Sequence, residues 1–367
     1  MSGVNTTASK TRKVYIETEA VVGTYEPITS TSLMVPATSN QTPVVDRGSK
    51  LISRSNTIDA NAGDIVSASG TYAWSYALEA ELQIPATPGP VYETPGYWGA
   101  MLLACGFQVS DDTDADGDYY EYVLSTVPFT NNAGIFPSAP GTATINVVQN
   151  NNGTSDWAMR LRGCTGVASF SLESGEIATV SAAMKGLVQE ASNDADDLLD
   201  TSDGDVSLLG GSFVRNTPLV CKGITLSFDA VAGAALNVEA LQSLEINMNS
   251  NHIDLMDPTE AFGYAVSPVQ HDESPTVSFT FPSTSAVDDT VFAALRSGQA
   301  FTIVAELTAP TTSGRSVRFT MPRVEFTDVS FSDVNGMTAY AIEGKMVRLP
   351  GEAASELFSV RYYYDPA

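Results

Sequence analysis

The chain has 367 residues, 43% hydrophobic and 17% charged, apolar enough to bury substantial cores, which excludes a globally disordered polypeptide. Forty-three acidic against 18 basic residues leave a formal charge of −25, which excludes binding of nucleic acid through its phosphates, because that mechanism needs clustered lysine and arginine. No apolar run approaches the ~18 residues of a membrane-crossing helix, and Met1–Glu17 lacks the apolar core of a signal peptide, so the expectation is a soluble protein made in a cytoplasm, with no membrane partner.

The length suits about two domains. Ser, Thr, Val and aromatic residues dominate, and apolar and polar residues often alternate, which is the texture of a β protein. A basic N-terminal cluster, Lys10, Arg12 and Lys13, leads into the short strand VYIET. A second basic group, Arg47, Lys50 and Arg54, falls at a predicted hairpin. The clearest strand is GTYAWSYALEAELQ. Tyr72, Trp74, Tyr76, Leu78 and Leu82 share one face; Thr71, Ala73, Ser75, Ala77, Glu79, Glu81 and Gln83 share the other. After the turn-rich PATPGPVYETPG, the segment YWGAMLLACGF places Trp98, Met101, Leu102 and Cys105 at helical spacing with Gly106 as a stop, which predicts a short amphipathic helix.

DDTDADGDYYEY follows, and reads as an acidic surface loop ahead of a Tyr-rich strand. Further strands are predicted in GTATINVVQ, DWAMRLRGC, GVASFSLES and EIATVSAAMKGLVQ, with Gly153 and Gly175 in hairpin turns and Gly163 and Gly166 bracketing a bend. Residues 192–205 are acidic and aperiodic, as in a linker. The second half repeats this grammar: Leu244, Ile246 and Met248 alternate with Glu245, Asn247 and Asn249, and SPTVSFTFP turns Val277, Phe279 and Phe281 inward. SAVDDTVFAALRSG predicts a helix capped by Ser285, with Asp288 and Asp289 in its first turn and Gly298 as its stop. QAFTIVAELTA, RSVRFTMP, RVEFTDVSFSD and MTAYAIEGKMVRL are strands, and SELFSVRYYYDPA adds one more. Strand, helix and a run of hairpin-linked strands thus occur twice, as an internal duplication.

Catalytic constellations are missing from this sequence. Its two histidines, His252 and His271, lie in polar, loop-like contexts, and there is no G-x-S-x-G, phosphate loop or H-E-x-x-H. The expectation is that the chain is not an enzyme. Cys105, Cys164 and Cys221 are far apart and odd in number, which argues against disulfides and zinc and for buried free thiols. No cofactor is expected. N-x-T strings at Asn5, Asn40 and Asn152 are chance products of a Thr-rich chain.

Over nearly its whole length the chain resembles the tail tube, or major tail, proteins of long-tailed bacteriophages of the siphovirus type. The resemblance rests on RKVYIETEAVVGTYEP, RSNTIDANAGDIVSASGTYAWSYALEAEL, YWGAMLLACGF with its Tyr-rich exit, CTGVASFSLESGEIATVSAAMKGL, SLEINMNSNHIDLMDP and RSVRFTMPRVEFTDVSFSDVNGMTAYAIEGKMVRLPG, in that order. It implies a mainly β fold with short α-helices: two tandem β-sandwich or barrel domains, each with one helix packed on the sandwich. The expected division is an N-terminal arm and first domain over 1–190, an acidic linker over 191–212, a second domain over 213–350, and a C-terminal strand or tail over 351–367.

The resemblance further implies a virion component assembled in the host bacterial cytoplasm. It would self-associate into stacked rings, meet tape-measure, terminator and distal tail proteins, and let DNA pass through the lumen during ejection without binding it. With two tube-like halves per chain, three chains per ring give the geometry of six single domains; six chains per ring is the alternative. Glu79, Glu81 and Glu245, on the wet faces of long strands, are the lumen-lining candidates. Lys10, Arg12, Lys13, Arg47, Lys50 and Arg54 are the inter-ring contact candidates, VYIET being a strand that could pair with a neighbour's open edge. A terminator, distal adaptor or secretion-type tube protein is the second reading, and a β-sandwich adhesin with an exposed aromatic groove, drawing on Tyr362–Tyr364, the third.

Asp112, Asp114, Asp116 and Asp118 form a candidate calcium loop: three alternating aspartates ahead of Gly117 match the opening of an EF-hand loop. With Asp112 as position one, however, position twelve is Val123, where a bidentate Glu is needed. The segment is therefore expected on the tube exterior or at a contact between rings.

Overall fold

The computed structural model describes residues 12–27, 33–35, 44–46, 52–53, 67–68, 73–84, 97–124, 141–149, 157–188, 217–222, 225–230, 241–249, 251–252, 269–270, 275–283, 288–309, 315–348 and 357–366. Over the described residues the protein is mainly β, with two short helices. The first half contains β1 (Arg12–Thr18), β2 (Leu33–Val35), β3 (Val44–Asp46), β4 (Ile52–Ser53), β5 (Ser67–Ala68), β6 (Ala73–Glu81), β7 (Gln83–Ile84), α1 (Tyr97–Ala104), β8 (Phe107–Asp114), β9 (Gly117–Leu124), β10 (Ala143–Gln149), β11 (Trp157–Glu173) and β12 (Thr179–Val188). The second contains β13 (Thr217–Pro218), β14 (Thr225–Ala230), β15 (Ser243–Asn247), β16 (Asn251–His252), β17 (Val269–Gln270), β18 (Thr276–Pro282), α2 (Asp288–Ser297), β19 (Ala300–Thr308), β20 (Ser316–Val334), β21 (Met337–Met346) and β22 (Ser359–Pro366).

Sixteen of the described strands form one sheet, and the two halves repeat one pairing scheme inside it. In the first half the antiparallel order is β3·β6·β12·β11·β10·β1. In the second it is β15·β18·β21·β20·β19·β14. The irregularities repeat as well. β10 and β11 shift register between Ala143 and Ile145, and β19 and β20 shift between Phe301 and Ile303. Beside each shift a glycine admits a close approach. A β-carbon on Gly186 would lie 2.6 Å from Cys164 Sγ, and one on Gly344 would lie 2.6 Å from Val324 Cγ1. The duplication read from strand grammar is therefore carried by strand pairing and by the position of bulges.

Both long hairpin strands correct the sequence reading, which broke each in two. β11 runs through Gly163, whose φ of 59° absorbs the extra bulge residue, so Gly163 marks a bulge and not a bend. β20 runs through Pro322 at the equivalent bulge, where a missing N–H leaves the ladder intact. Pro322 instead accepts a hydrogen bond at its carbonyl from Thr302 Oγ1, 2.8 Å away.

Among the described residues three seams join the halves, the shortest being β13 on β7, Thr217 to Ile84 and Pro218 to Gln83. β11 continues past β12 to pair with β15, Ser169 to Asn247 through Glu173 to Ser243. β22 lies between β20 of the second half and β9 of the first. The C-terminal segment predicted as one more strand is thus a tie between halves. The main apolar core spans both halves: Phe170 of β11 packs on Phe319 of β20 and on Phe358, with ring centroids 5.1 and 5.9 Å apart, while Tyr15, Val148 and Ala158 form a small separate cluster.

The alternation expected of β6 is present, with Tyr76, Leu78, Ala80 and Leu82 buried and Ser75 and Ala77 exposed; Gln83 departs from it by being buried. α1 is not amphipathic. Tyr97, Trp98, Ala100, Met101, Leu102 and Ala104 are all buried, because β9 and β22 close over the side that the sheet leaves open: Trp98 lies 5.8 Å from Tyr122 and 6.0 Å from Tyr362. The two polar atoms that this burial threatens are bonded, Trp98 Nε1 to the Gln83 carbonyl at 3.2 Å and the Tyr97 hydroxyl to the Glu81 carbonyl. α2 is the amphipathic helix, with Val291 and Ala294 buried and Ala293 and Arg296 exposed. Ser285, Gly153 and residues 191–212 lie outside the described residues. Among the described residues no helix is long and apolar enough to cross a membrane.

Candidate functional site

Partners directly opposite in an antiparallel pair point to the same face of the sheet. Following register from strand to strand therefore traces rows across both halves. One row runs Glu79, Ser181, Ser169, Asn247, Thr276, Lys345, Glu325. The next runs Glu81, Thr179, Ser171, Glu245, Ser278, Glu343, Asp328. A third runs Glu173, Ser243, Thr280, Ala341, Ser330. All of these residues are half-buried or exposed. Their neighbours along each strand, such as Leu78, Phe170, Ile246, Phe279 and Ile342, form the core on the other side. The result is a continuous polar wall over seven strands, its three rows made of carboxylates, hydroxyls, an amide, an alanine and one cation, Lys345. Hydroxyls pair within it, Ser169 Oγ to Ser181 Oγ at 2.7 Å.

Glu79, Glu81 and Glu245, picked out one strand at a time, thus stand on one wall. Glu81 and Glu245 share a row and are three strands apart, about 14 Å at ~4.8 Å per strand. Glu81 also accepts a hydrogen bond from Gln83 Nε2 at 2.9 Å. Glu173, Glu325, Asp328 and Glu343 belong to the same wall and escaped the sequence reading. The signal for Glu173, Glu325 and Glu343 was available, since they occupy polar positions of the alternating runs ASFSLE, VEFT and AYAIEGKM, whereas Asp328 follows a bulge that breaks the period.

The aspartate-rich segment is a β-hairpin, not a loop. β8 and β9 pair from Phe107–Leu124 to Asp114–Gly117 around a turn at Ala115–Asp116. Asp residues disfavour strands in isolation; here their carboxylates are held by arginine and tyrosine side chains of the second half. Arg361 bonds Asp114 at 3.2 Å and Glu121 at 2.9 Å. Arg318 bonds Asp116 and Glu306, each at 2.9 Å. The Tyr363 hydroxyl accepts from Arg318 Nη1 and donates to Asp114 Oδ2, both at 2.8 Å, and the Tyr364 hydroxyl donates to Asp111 at 2.9 Å. Each guanidinium also lies over a ring, Arg318 over Tyr363 at 4.7 Å and Arg361 over Tyr119 at 4.6 Å. Of the calcium candidates, Asp114 and Asp116 thus face cations, Asp118 accepts from Thr113 Oγ1 at 2.6 Å, and Asp112 accepts from the Thr113 amide. Among the described residues no three His, Cys, Asp or Glu side chains converge on a point that could hold a metal.

This latch has a pH signature. Burial alone would raise the Asp114 pKa, but the Asp116 amide, the Tyr363 hydroxyl and the two guanidiniums outweigh it and hold the carboxyl below its usual range. A depressed acid stabilises the fold above its unfolded pKa and loses that contribution as pH falls through the folded value. The β8–β9 hairpin should therefore stay docked from neutrality down to about pH 4 and loosen below it. Hydrogen exchange of the 107–124 amides should rise in that acid range ahead of the β1–β10 ladder. Simultaneous exposure of both would refute a local latch.

The basic candidates divide. Lys10, Arg47, Lys50 and Arg54 lie outside the described residues. Arg12 and Lys13 sit in β1, which pairs with β10 along its length and with β2 from Val14 to Ile16. VYIET therefore offers a neighbour no open edge at Val14–Ile16, which corrects the edge-pairing expectation. Tyr362 and Tyr363 are buried and Tyr364 half-buried, so the C-terminal tyrosines do not line an exposed groove. All three cysteines are free and buried, and burial pushes the Cys221 thiol up to about 11 and raises those of Cys105 and Cys164 as well.

No protein-family model matches this chain, and no curated protein matches it in sequence. Among solved structures it is similar to the SPP1 tail tube, determined by solid-state NMR with electron cryomicroscopy, at 14% identity over 38% of this chain and 76% of that one, with a TM-score of 0.27. That score is below the level at which a likeness assigns fold or function.

Proposed function

We propose that the chain is a structural subunit of a bacteriophage-type tail tube, building stacked rings whose lumen conducts DNA. The observation that carries this reading is the polar wall, continuous across both halves and dominated by carboxylates and hydroxyls. A conduit must not retain its cargo. Each phosphate contact made by a Lys or Arg strengthens adhesion, and several together hold DNA. A wall of Glu, Asp and small hydroxyls with a single lysine, Lys345, offers too few such contacts to hold DNA and repels phosphates over about a Debye length, ~8 Å at physiological salt. The repeated strand scheme supports three chains per ring. In this reading the protein acts without catalysis or cofactor, in the tail of the virion, beside tape-measure, terminator and distal tail proteins.

The test is electron microscopy of the concentrated protein, alone and with other tail proteins. Long hollow tubes with threefold or pseudo-sixfold end views are the expected result, and a persistent monomer would overturn the reading. In the same experiment E79K/E81K/E245K should leave tubes intact and slow or block DNA ejection. Unchanged infectivity of that variant would remove the repulsive role of the wall.

A further inference from the structure

We infer that the outer edge of β20, over Asp328–Val334, takes β3 of a second copy of this chain as its next strand. This rests on the ring reading above and names the contact that would make the ring.

The argument comes from the duplication. β11 and β20 are equivalent strands of the two repeats. The C-terminal stretch of β11 uses one edge for β12 and the other for β15, the outermost strand of the second repeat's pairing scheme. The corresponding stretch of β20 pairs with β21 from Asp328 to Val334. Among the described residues no strand pairs with its other edge. β3, the equivalent of β15, pairs with β6, and among the described residues its outer edge is likewise unpaired. Among the described residues one repeat thus has an unpaired acceptor edge, and the other holds the strand type that fills it. Within one chain the seam is already made once; a head-to-tail neighbour makes it again, and such a heterologous contact closes into a ring when the rotation permits.

Three local observations fit a covered edge. Two of the four exposed large hydrophobic residues among those described, Phe331 at 62% and Met337 at 53%, sit on this hairpin. The Oγ of Ser332 is buried with no hydrogen-bond partner. The edge carries no lysine or proline, its bulge lies before it between Phe326 and Asp328, and its interior from Val329 to Ser332 is uncharged, so the usual blocks to strand addition are confined to its ends.

The repeat also sets the register. Gly186 faces Trp74 and Gly344 faces Val277, which aligns β12 with β21 and β6 with β18. Counting from these pairs, Val44, Val45 and Asp46 take the places of Glu245, Ile246 and Asn247, while Ser332, Asp333 and Val334 take those of Ser169, Phe170 and Ser171. The seam of the first half then predicts Ser332 opposite Asp46, Asp333 opposite Val45 and Val334 opposite Val44 of the second copy.

Paired cysteines in the full-length chain test this. The S332C/D46C and D333C/V45C variants cover two adjacent positions, one of which is a non-hydrogen-bonded pair with the closer side chains. After copper-catalysed air oxidation of assembled protein, at least one should give intermolecular disulfides in high yield, in a ladder ending at a closed species of three chains. The single variants and S330C/D46C, two residues off register, should give little. The buried native thiols add little background. If rings or tubes form but neither in-register pair exceeds the off-register control, the edge pairing is wrong and the ring reading survives. A protein that stays monomeric at high concentration overturns both. An open ladder with no terminal species supports the edge contact and removes the closed ring.

Discussion

Glu19→Gln is expected to lower stability by about 2–4 kcal/mol, a large share of what a folded domain has to lose. Glu19 is fully buried, immediately after β1. Both of its oxygens accept twice: Oε1 from Gly163 N at 2.6 Å and Thr144 Oγ1 at 3.1 Å, Oε2 from Gly23 N and Thr142 Oγ1, each at 2.7 Å. It thereby fastens the end of β1 to β10 and to the bulge of β11. An amide has one oxygen, and its nitrogen cannot accept. Whichever way the substituted amide turned, it would strand one backbone donor, Gly163 or Gly23, and a buried unsatisfied donor costs about 1–3 kcal/mol. Rotating hydroxyls relieve the threonines but not the backbone amides. Thr142→Val removes a donor instead and should cost only about 1 kcal/mol. Urea unfolding followed with hydrogen exchange at Gly23 and Gly163 reads both variants. Equal costs for the two, or unchanged protection of both amides, would show that the four-donor ring is not what holds β1.

Deleting residues 357–367 should have the larger effect. The segment buries Leu357, Phe358, Val360, Tyr362 and Tyr363, all at 1% exposure or less. At ~1.5–3 kcal/mol each, their loss is on the order of 10 kcal/mol, comparable with the whole stability of a typical domain. It also opens the edges of β20 and β9, uncovers Trp98 and Phe107, and removes Arg361 from Asp114 and Glu121. The truncated chain should therefore be recovered as aggregate or as a species that binds hydrophobic dyes. A synthetic peptide of residues 355–367 supplied during refolding should restore native near-ultraviolet dichroism by strand addition. A soluble truncated chain with an unchanged unfolding transition would refute the role of β22 as the tie between halves.

Much of the architecture was legible one element at a time. Alternation over Tyr76–Leu82, Leu244–Met248 and Val277–Phe281 depends only on the period of a strand lying on a core, so those buried faces were read correctly. α1 was found from apolar spacing and a following glycine, and α2 from its first-turn aspartates and a following glycine. The misreadings share a cause. Gly163 and Pro322 break strands by local propensity, yet each sits at a bulge where the partner strand accommodates it. The aspartates of β8 and β9 disfavour a strand, and Arg318, Arg361, Tyr363 and Tyr364, some 200 residues away in sequence, reverse that preference. The helix α1 looked amphipathic because four apolar residues marked one side. Its remaining side is covered by strands that no local pattern connects to it.

By itself, the sequence determined the buried faces of β6, β15 and β18, that one plan is used twice, and that the wet faces are rich in acid. These follow from side-chain chemistry at periods of two and 3.6, which each segment carries internally. Only the tertiary structure decided which strand lies beside which. Every strand edge presents the same N–H and C=O groups, so pairing is chosen by the whole set of competing edges and by the core they enclose. That choice put Glu79, Glu81 and Glu245 on one wall with Glu343 and Asp328, placed β22 between the halves, enclosed Glu19, and left β20 and β3 with outer edges that no described strand fills.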